Sequence, residues 1–305
     1  MTIVDFSVVL IGALFGVYAI CASIECGIVL KMLARGPANR RLFTPLWEIT
    51  NVFLVFGFTA LAMLFNGALN DISRALTATL AVALVSLLVR ACVVLAIFYI
   101  RGDEELPLWL AGLLALTTFL VPLSFSAAGI YLLTGHLFWA SWIGAVAELA
   151  ALSGLAGTGL LFVNRRSGSK SLALGEALAA LWLLALGCAL PLVSLHTANR
   201  LSHDSLLVLV MLAGLVLTAF LGKYVGLLRA TLWLPAAVVS LLAPIILGWA
   251  NRPYLISGQL SLSSAYGAQT YGRAIIIALA VMLPLILLGG WLFWRLFNSQ
   301  DATKT

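Results

Sequence analysis

The stretch Ala22–Phe58 reads ASIECGIVLKMLARGPANRRLFTPLWEITNVFLVFGF, and it decides how the chain folds. Two apolar segments flank a short loop that contains glycine, proline, asparagine and neighbouring arginines. Apolar runs of about 20 residues are long enough to cross a bilayer as helices, and basic loops are typical of the cytoplasmic side. The stretch therefore predicts a pair of membrane-spanning helices whose connecting loop lies in the cytoplasm.

The composition of the whole chain agrees with this pattern. Of 305 residues, 63% are hydrophobic and 9% are charged, whereas a soluble domain is about 25% charged. The composition predicts an integral membrane protein. The net charge of +6 comes from short loops rather than from one basic face, so we expect no nucleic-acid partner. The N-terminus, MTIVDFSVVL, lacks a basic segment before its apolar run, which indicates a retained helix rather than a signal peptide.

Apolar runs of about 18 or more residues predict nine transmembrane helices in a single integral membrane domain over residues 1–305. The approximate limits of the nine helices are 6–33, 45–68, 75–100, 107–133, 138–163, 174–196, 205–222, 230–249 and 272–298. The fold class is therefore all-α, a polytopic transmembrane bundle. Connections are short except for an outer loop at 250–271, and no soluble domain is expected.

The distribution of basic residues predicts the orientation in the membrane. If the odd-numbered helices run inward, twelve basic residues lie at inner ends: Lys31, Arg35, Arg40, Arg41, Arg101, Arg165, Arg166, Lys170, Lys223, Arg229, Arg295 and Lys304. Four lie at outer ends: Arg74, Arg200, Arg252 and Arg273. By the positive-inside rule, the N-terminus is outside and the C-terminus is cytoplasmic. The localisation expected is a prokaryotic inner membrane, crossed several times.

Residues that could hold a metal or a haem are few and scattered. The cysteines fall within predicted helices without C-x-x-C spacing, which favours packing over a disulfide or a metal site: Cys21, Cys26, Cys92 and Cys188. The histidines fall at outer ends or in outer loops: His136, His196 and His203. Haem ligation inside a bundle normally uses His or Met at membrane depth. We therefore expect this chain to bind no metal and no haem by itself.

Four ionisable residues are predicted at or inside membrane depth: Glu25, Glu48, Arg90 and Glu148. A charged side chain at a helix centre costs about 2.5–3.5 kcal/mol on insertion scales, so each should face protein or water. Arg90 could neutralise one of the carboxylates, and it could equally tune a proton path. These two interpretations are compatible.

Glu48 has two interpretations from its local sequence. Thr44 and Pro45 suit a helix cap and a first turn, and an acid in a first turn is favoured by the helix dipole whatever the protein does. Glu48 and Asn51 are three residues apart and should share a helix face, with Trp47 beside them at the membrane boundary. This placement is also suitable for a functional carboxylate.

A series of short motifs extends along the chain in a fixed order. The segments are Glu25 and Gly27, Arg40 and Arg41, Trp47–Leu54, Ser86–Arg90, Phe119–Pro122, Leu132–Gly135, Pro253–Ile256, Ser261–Ser263 and Leu283–Pro284. In this order they resemble the smaller subunit, subunit II, of cytochrome bd-type quinol oxidases. That family has W-D-G-N-E/Q-V-W-L where this chain has W-E-I-T-N-V-F-L, so the carboxylate is kept and the glycine is replaced by Ile49.

The resemblance implies two four-helix bundles, helices 1–4 at about 6–133 and helices 5–8 at about 138–249, plus a peripheral ninth helix. It also implies an oxidoreductase complex that reduces dioxygen to water with electrons from a membrane quinol. Haems b and d then belong to the partner, subunit I, which forms a heterodimer with this chain, and the chain by itself is not catalytic. A small extra subunit and a structural quinone or lipid are further partners that the resemblance allows.

The same resemblance implies a contribution to cytoplasmic proton uptake. Glu48, Glu25 and Arg90 would form the proton pathway, with Trp47, Thr50 and Asn51 in support. Glu148 has no counterpart in the family pattern, and its role stays open.

Two other function classes stay open from the residues alone. A secondary transporter could use intramembrane carboxylates for H⁺ or Na⁺, although its usual pair of interrupted helices in corresponding halves does not occur here. The chain could also be the membrane anchor of another quinone-linked oxidoreductase. Association with a haem-bearing membrane subunit would distinguish the oxidase from the transporter.

Overall fold

The structure is a computed structural model, and it describes residues 2–35, 40–100, 107–140, 142–164, 233–268 and 272–281, together with positions 284 and 288. The predicted sixth and seventh helices and most of the ninth lie outside these residues, as do Cys188, His196 and His203. The number of nine helices therefore stays a prediction.

The described residues are almost entirely helical. The main helices are α1 (Ile3–Arg35), α2 (Arg40–Leu64), α3 (Leu69–Leu95), α4 (Leu108–Thr134), α5 (Trp142–Asn164) and α6 (Trp233–Ala250). A 3₁₀ turn at Asn66–Ala68 joins α2 to α3, and a π-helical turn at Ala96–Ile100 follows α3. Five segments within the described part of the chain are long and apolar enough to cross a membrane, which confirms the predicted membrane-spanning helical fold.

Two helices begin earlier than their hydropathy predicts. α2 starts at Arg40 rather than near residue 45, and α3 starts at Leu69 rather than near residue 75. Hydropathy finds the part of a helix that lies in lipid, whereas arginine and other polar residues at its ends continue the helix into water. The expectation that Thr44 caps the second helix is therefore wrong, because the helix is already formed there.

α1 is the central helix of the described structure. It contacts α2, α4, α5 and α6, whereas α3 packs mainly against α4. Glycines allow the close approaches: a Cβ added at Gly12 would lie 2.7 Å from the Cα of Ile245 in α6, and one at Gly27 would clash with the backbone of Gly159 in α5. Small residues at helix crossings are the usual way in which membrane helices pack closely.

Buried apolar side chains form two clusters that follow α1. The larger cluster lies in the outer half and includes Leu14, Phe53 and Leu64. The smaller cluster lies towards the α1–α2 connection and includes Val29 and Ile97. On α1 the larger cluster reaches Cys26 and the smaller begins at Ile28, so Glu25 lies near their boundary.

The outer loop contains more structure than its sequence predicted. It forms an antiparallel hairpin of β1 (Tyr254–Ile256) and β2 (Leu260–Ser261), then a short helix, α7 (Leu262–Ala265). An eighth helix, α8, begins the final predicted span at Gly272–Val281.

The hairpin region binds the end of α4, whose last carbonyl groups lack helical partners. Asn251 Nδ2 donates a hydrogen bond to the Leu132 carbonyl at 3.1 Å, and Gln259 Nε2 donates to the Gly135 carbonyl at 3.0 Å. Gly135 ends α4 with φ of 70°, the left-handed conformation that favours glycine. The outer loop is thus fixed to the helix end.

The N-terminal end of α1 lies at the same side as the outer loop. Asp5 forms an ion pair with Arg252, whose guanidinium also stacks 3.4 Å above the ring centre of Trp249. A cation over an indole face is a favourable arrangement. The contact agrees with the predicted topology, in which the N-terminus and Arg252 share the outer side.

Candidate functional site

The candidate site is centred on a buried ion pair between α1 and α3. Arg90 Nη1 donates a hydrogen bond to Glu25 Oε2 at 3.1 Å. The side chains of Arg90 and Glu25 are 1% and 0% exposed. A buried charge needs a partner of opposite sign, so the pair explains how both residues are accommodated at this depth. The expectation that Arg90 neutralises a carboxylate within the bundle is confirmed.

α2 provides the remaining contacts of the arginine and the carboxylate. Arg90 Nη2 donates to Asn51 Oδ1 at 3.1 Å, which joins α3 to α2. Thr50 is buried and interacts with the Glu25 carboxyl group, while its own hydroxyl donates to the Leu46 carbonyl at 2.8 Å. Two of the supporting residues that the sequence indicated, Asn51 and Thr50, therefore lie at the ion pair.

Glu48 is not part of this buried cluster. Its side chain is exposed on α2, whereas Asn51 turns inward to Arg90. The two residues are three apart on one continuous helix, as the sequence predicted, and they differ in exposure because Asn51 lies nearer to the packed side of α2. Glu48 also lies about two turns inside α2 instead of in its first turn, because the helix starts at Arg40. Trp47 is half-buried and packs against the smaller apolar cluster.

Glu25 and Glu48 lie at similar depths from the α1–α2 connection. Glu25 is ten residues before the end of α1 at Arg35, or about 15 Å along the axis. Glu48 is eight residues after the start of α2 at Arg40, or about 12 Å. An exposed acid on α2 and a buried acid on α1 thus lie on the same half of the molecule, and Asn51 lies about one turn beyond Glu48 along α2.

Two polar residues near the ion pair were not singled out by their sequence. Tyr18 of α1 is 4% exposed, and its hydroxyl interacts electrostatically with Arg90 and Glu25. Thr118 of α4 is 1% exposed, and its carbonyl accepts a hydrogen bond from Cys26 Sγ at 3.8 Å. Tyr18 precedes Glu25 by seven residues, a spacing that repeats a helix face, and this was the signal that could have identified it.

Comparisons with known proteins identify the family. Residues 3–297 match the sequence model described as cytochrome bd terminal oxidase subunit II. The chain belongs to the cytochrome bd terminal oxidase subunit II family. It is an integral membrane component of an oxidoreductase complex of the respiratory chain, in a prokaryotic inner membrane. The motifs that suggested subunit II therefore led to the correct family, and the transporter interpretation is set aside.

A solved structure agrees with the fold of this subunit. The structure of bd oxidase from Geobacillus thermodenitrificans contains a chain that matches with a TM-score of 0.80 and 22% sequence identity. The match covers 97% of this chain and 99% of that chain. No curated protein matches the sequence. The similarity in fold is thus far greater than the similarity in sequence.

The family implies haems in the assembled complex. His136, the histidine within the described ranges, is exposed just beyond the end of α4. The part of the chain that the structure describes contains no group of three His, Cys, Asp or Glu side chains that could hold a metal ion. That this chain binds no haem by itself stays a prediction.

Glu148 lies apart from the ion pair, on α5. Its side chain is half-buried, and its carboxyl group is hydrogen-bonded to the side chain of Ser126 in α4. The Oε2 atom of Glu148 is buried without a hydrogen-bond partner among the described residues. Ser126 thus gives Glu148 a local structural contact, and among the described residues no hydrogen bond joins Glu148 to Glu25 or Glu48.

Proposed function

We propose that this subunit supports a haem-bearing subunit I and contributes to cytoplasmic proton uptake during the reduction of dioxygen to water. Reduction of dioxygen consumes protons as well as electrons. Haems b and d in the partner would carry the electrons that a membrane quinol supplies, and this chain would bind none of those haems. The role assigned to this chain is to hold and pass protons.

The observation that carries the proposal is the position of Glu48 on an exposed face of α2. Val52 and Val55 lie on that face and are 38% and 63% exposed. A carboxylate facing lipid at this depth would cost on the order of 2.5–3.5 kcal/mol, so Glu48 requires cover from protein or access to water. In a heterodimer, subunit I would cover Glu48 from the lipid, and water would reach Glu48 from the cytoplasm.

The inward step from Glu48 leads through α2 to the ion pair. Asn51 lies about one helical turn from Glu48 and holds Arg90, and Arg90 holds Glu25. Arg90 offsets part of the cost of ionising Glu25 at this depth, and only an ionised carboxylate can accept a proton. Glu48 would thus receive protons at the surface of the subunit, and Glu25 would provide a buried acceptor behind it.

The test compares variants of Glu48 in the purified, assembled complex. Glu48→Gln preserves size and removes the titratable proton, so it should leave haem content unchanged and slow oxygen consumption. Glu48→Asp keeps an acid and should retain much of the rate. Asp71→Asn is a matched control, because Asp71 is an exposed acid in the first turn of α3 at the outer side. Normal turnover of an assembled Glu48→Gln complex would contradict the proposal.

A structural quinone or lipid is proposed as a further component. A cavity of about 510 Å³ lies among α1–α6, lined largely by apolar side chains such as Phe15, Leu61 and Phe125. This volume is in the range of small-molecule sites, roughly 300–1,000 Å³, and the lining suits an isoprenoid or acyl chain.

Filling the cavity tests this component. Gly129 lines the cavity, and a Cβ there would meet nothing within 4 Å, so Gly129→Leu should displace the ligand without a backbone clash. Gly112→Leu on the same helix is the control, because Gly112 is equally open but does not line the cavity. Organic extracts of the purified wild-type, Gly129→Leu and Gly112→Leu complexes are compared. We expect one quinone or lipid species to be missing from the Gly129→Leu extract and present in the other two. Equal extracts from all three proteins would contradict this assignment.

A further inference from the structure

Four buried polar atoms around the ion pair have no hydrogen-bond partner among the residues that the structure describes: Tyr18 Oη, Glu25 Oε1, Arg90 Nε and Thr118 Oγ1. The side chains that carry them are between 0% and 4% exposed. Buried polar atoms in native proteins are nearly always hydrogen-bonded, to protein or to ordered water. Four such atoms around one ion pair therefore need a common explanation.

The four atoms belong to three helices that meet at the ion pair. Tyr18 and Glu25 lie on the same side of α1, Arg90 comes from α3, and Thr118 comes from α4 beside Cys26. Tyr18 and Glu25 are seven residues apart, or about 10 Å along the helix axis, which exceeds a single hydrogen bond.

The chemistry of the four atoms is complementary to water. Glu25 Oε1 only accepts, Arg90 Nε only donates, and the hydroxyl groups of Tyr18 and Thr118 do both. A buried water normally makes two to four hydrogen bonds to polar groups. A cluster of water molecules can therefore satisfy all four atoms, whereas an apolar occupant would satisfy none.

We propose that the α1–α3–α4 junction is a binding site for ordered water, with Tyr18 and Thr118 as positioning residues that hold this water against Glu25 and Arg90. The inference rests on the proposed function, since the water would accept the proton that Glu25 has received from the Glu48 side and passes on. It extends that function by placing a hydration site between Tyr18 of α1, which lies outward of the ion pair, and Thr118 of α4, which lies beside Cys26.

The test uses the assembled complex and two hydroxyl deletions, Tyr18→Phe and Thr118→Val. Tyr131→Phe is the matched control, because the Tyr131 hydroxyl is 3.4 Å from Gln259 Oε1 at the other end of α4. High-resolution cryo-electron microscopy should show density for water within hydrogen-bonding distance of Glu25 Oε1 and Arg90 Nε. This density should be lost in Tyr18→Phe or Thr118→Val and retained in Tyr131→Phe. Absence of the density from the wild type, in a map that shows other buried waters, would overturn the inference.

The kinetic part of the test separates this inference from the proposed function. Proton uptake after an oxygen pulse should slow in Tyr18→Phe or Thr118→Val at unchanged haem content, and it should not slow in Tyr131→Phe. One outcome is that Glu48→Gln slows proton uptake, whereas Tyr18→Phe and Thr118→Val change neither proton uptake nor the water density. In that case the hydration site is wrong and the proposed function stands. If the density depends on Tyr18 while uptake is normal in every variant, the water site is right and its role in proton uptake is wrong. If the Tyr18→Phe complex does not assemble, the Thr118→Val complex provides the test.

Discussion

Arg90 Nη1 of α3 lies 3.1 Å from Glu25 Oε2 of α1, and both side chains are almost completely buried. The two residues are 65 positions apart in sequence, so the contact ties together helices that are not consecutive. Either charge alone would be costly at this depth, so the pair should stabilise the fold. It also contains Glu25, the proposed buried proton acceptor. The structural consequence can be measured separately.

We expect removal of one partner of the ion pair to be more damaging than removal of both. Glu25→Leu or Arg90→Met leaves an uncompensated buried charge and should cost about 3–5 kcal/mol. The double variant Glu25→Leu/Arg90→Met leaves no charge and should recover much of that loss. Thermal unfolding of the assembled complex, followed in a double-mutant cycle, measures the coupling. Strictly additive losses would show that the two charges do not stabilise each other.

Close packing of α1 on α5 should depend on the absence of a side chain at Gly27. A Cβ there would clash with the backbone of Gly159, so Gly27→Ala should destabilise the subunit by about 1–3 kcal/mol through overpacking. Gly112→Ala in α4 is the control, because a Cβ there meets nothing within 4 Å. It should be neutral or slightly stabilising, since alanine is the better helix former. Equal thermal stability of the two variants would contradict the close approach of α1 and α5.

The predicted orientation can be tested with reporters fused at two positions. A reporter fused after Gly135 follows the fourth helix and should be external, whereas one fused at Thr305 should be cytoplasmic. The ion pair between Asp5 and Arg252 already places two predicted outer segments together. Protease protection in membrane vesicles of known orientation checks both fusions. A cytoplasmic signal after Gly135 would mean that the number of helices before it is wrong.

The sequence predicted the features that follow from hydropathy and charge. Apolar runs located the first five helices, and the cost of a lone charge in lipid predicted that Arg90 has an acidic partner. The sequence did not distinguish Glu25 from Glu48 as that partner, because both lie at similar depths. Their difference arises from helix rotation, which turns Asn51 towards Arg90 and leaves Glu48 exposed. A rotation set by packing between helices is not encoded in hydropathy.

The features that the sequence missed depend on contacts between distant segments. The hairpin after α6 is held by Asn251 and Gln259 bonding to the end of α4, more than 100 residues earlier. In the sequence Tyr18 is one aromatic residue of an apolar run, and its burial on the face of α1 that carries Glu25 is visible only in the fold. Start positions of α2 and α3 were missed because polar residues extend a helix beyond the part that hydropathy detects.

The most direct test of the account measures proton uptake from the cytoplasmic side in vesicles that contain the assembled complex. Wild type, Glu48→Gln, Glu48→Asp and the outer-side control Asp71→Asn are compared at equal haem content. Loss of a positioned proton-transfer group should slow uptake by about 10²-fold or more, unless another route replaces it. We predict this loss in Glu48→Gln, a much smaller effect in Glu48→Asp and none in Asp71→Asn. Cytoplasmic proton uptake at the wild-type rate in Glu48→Gln would contradict a role for Glu48 in proton delivery.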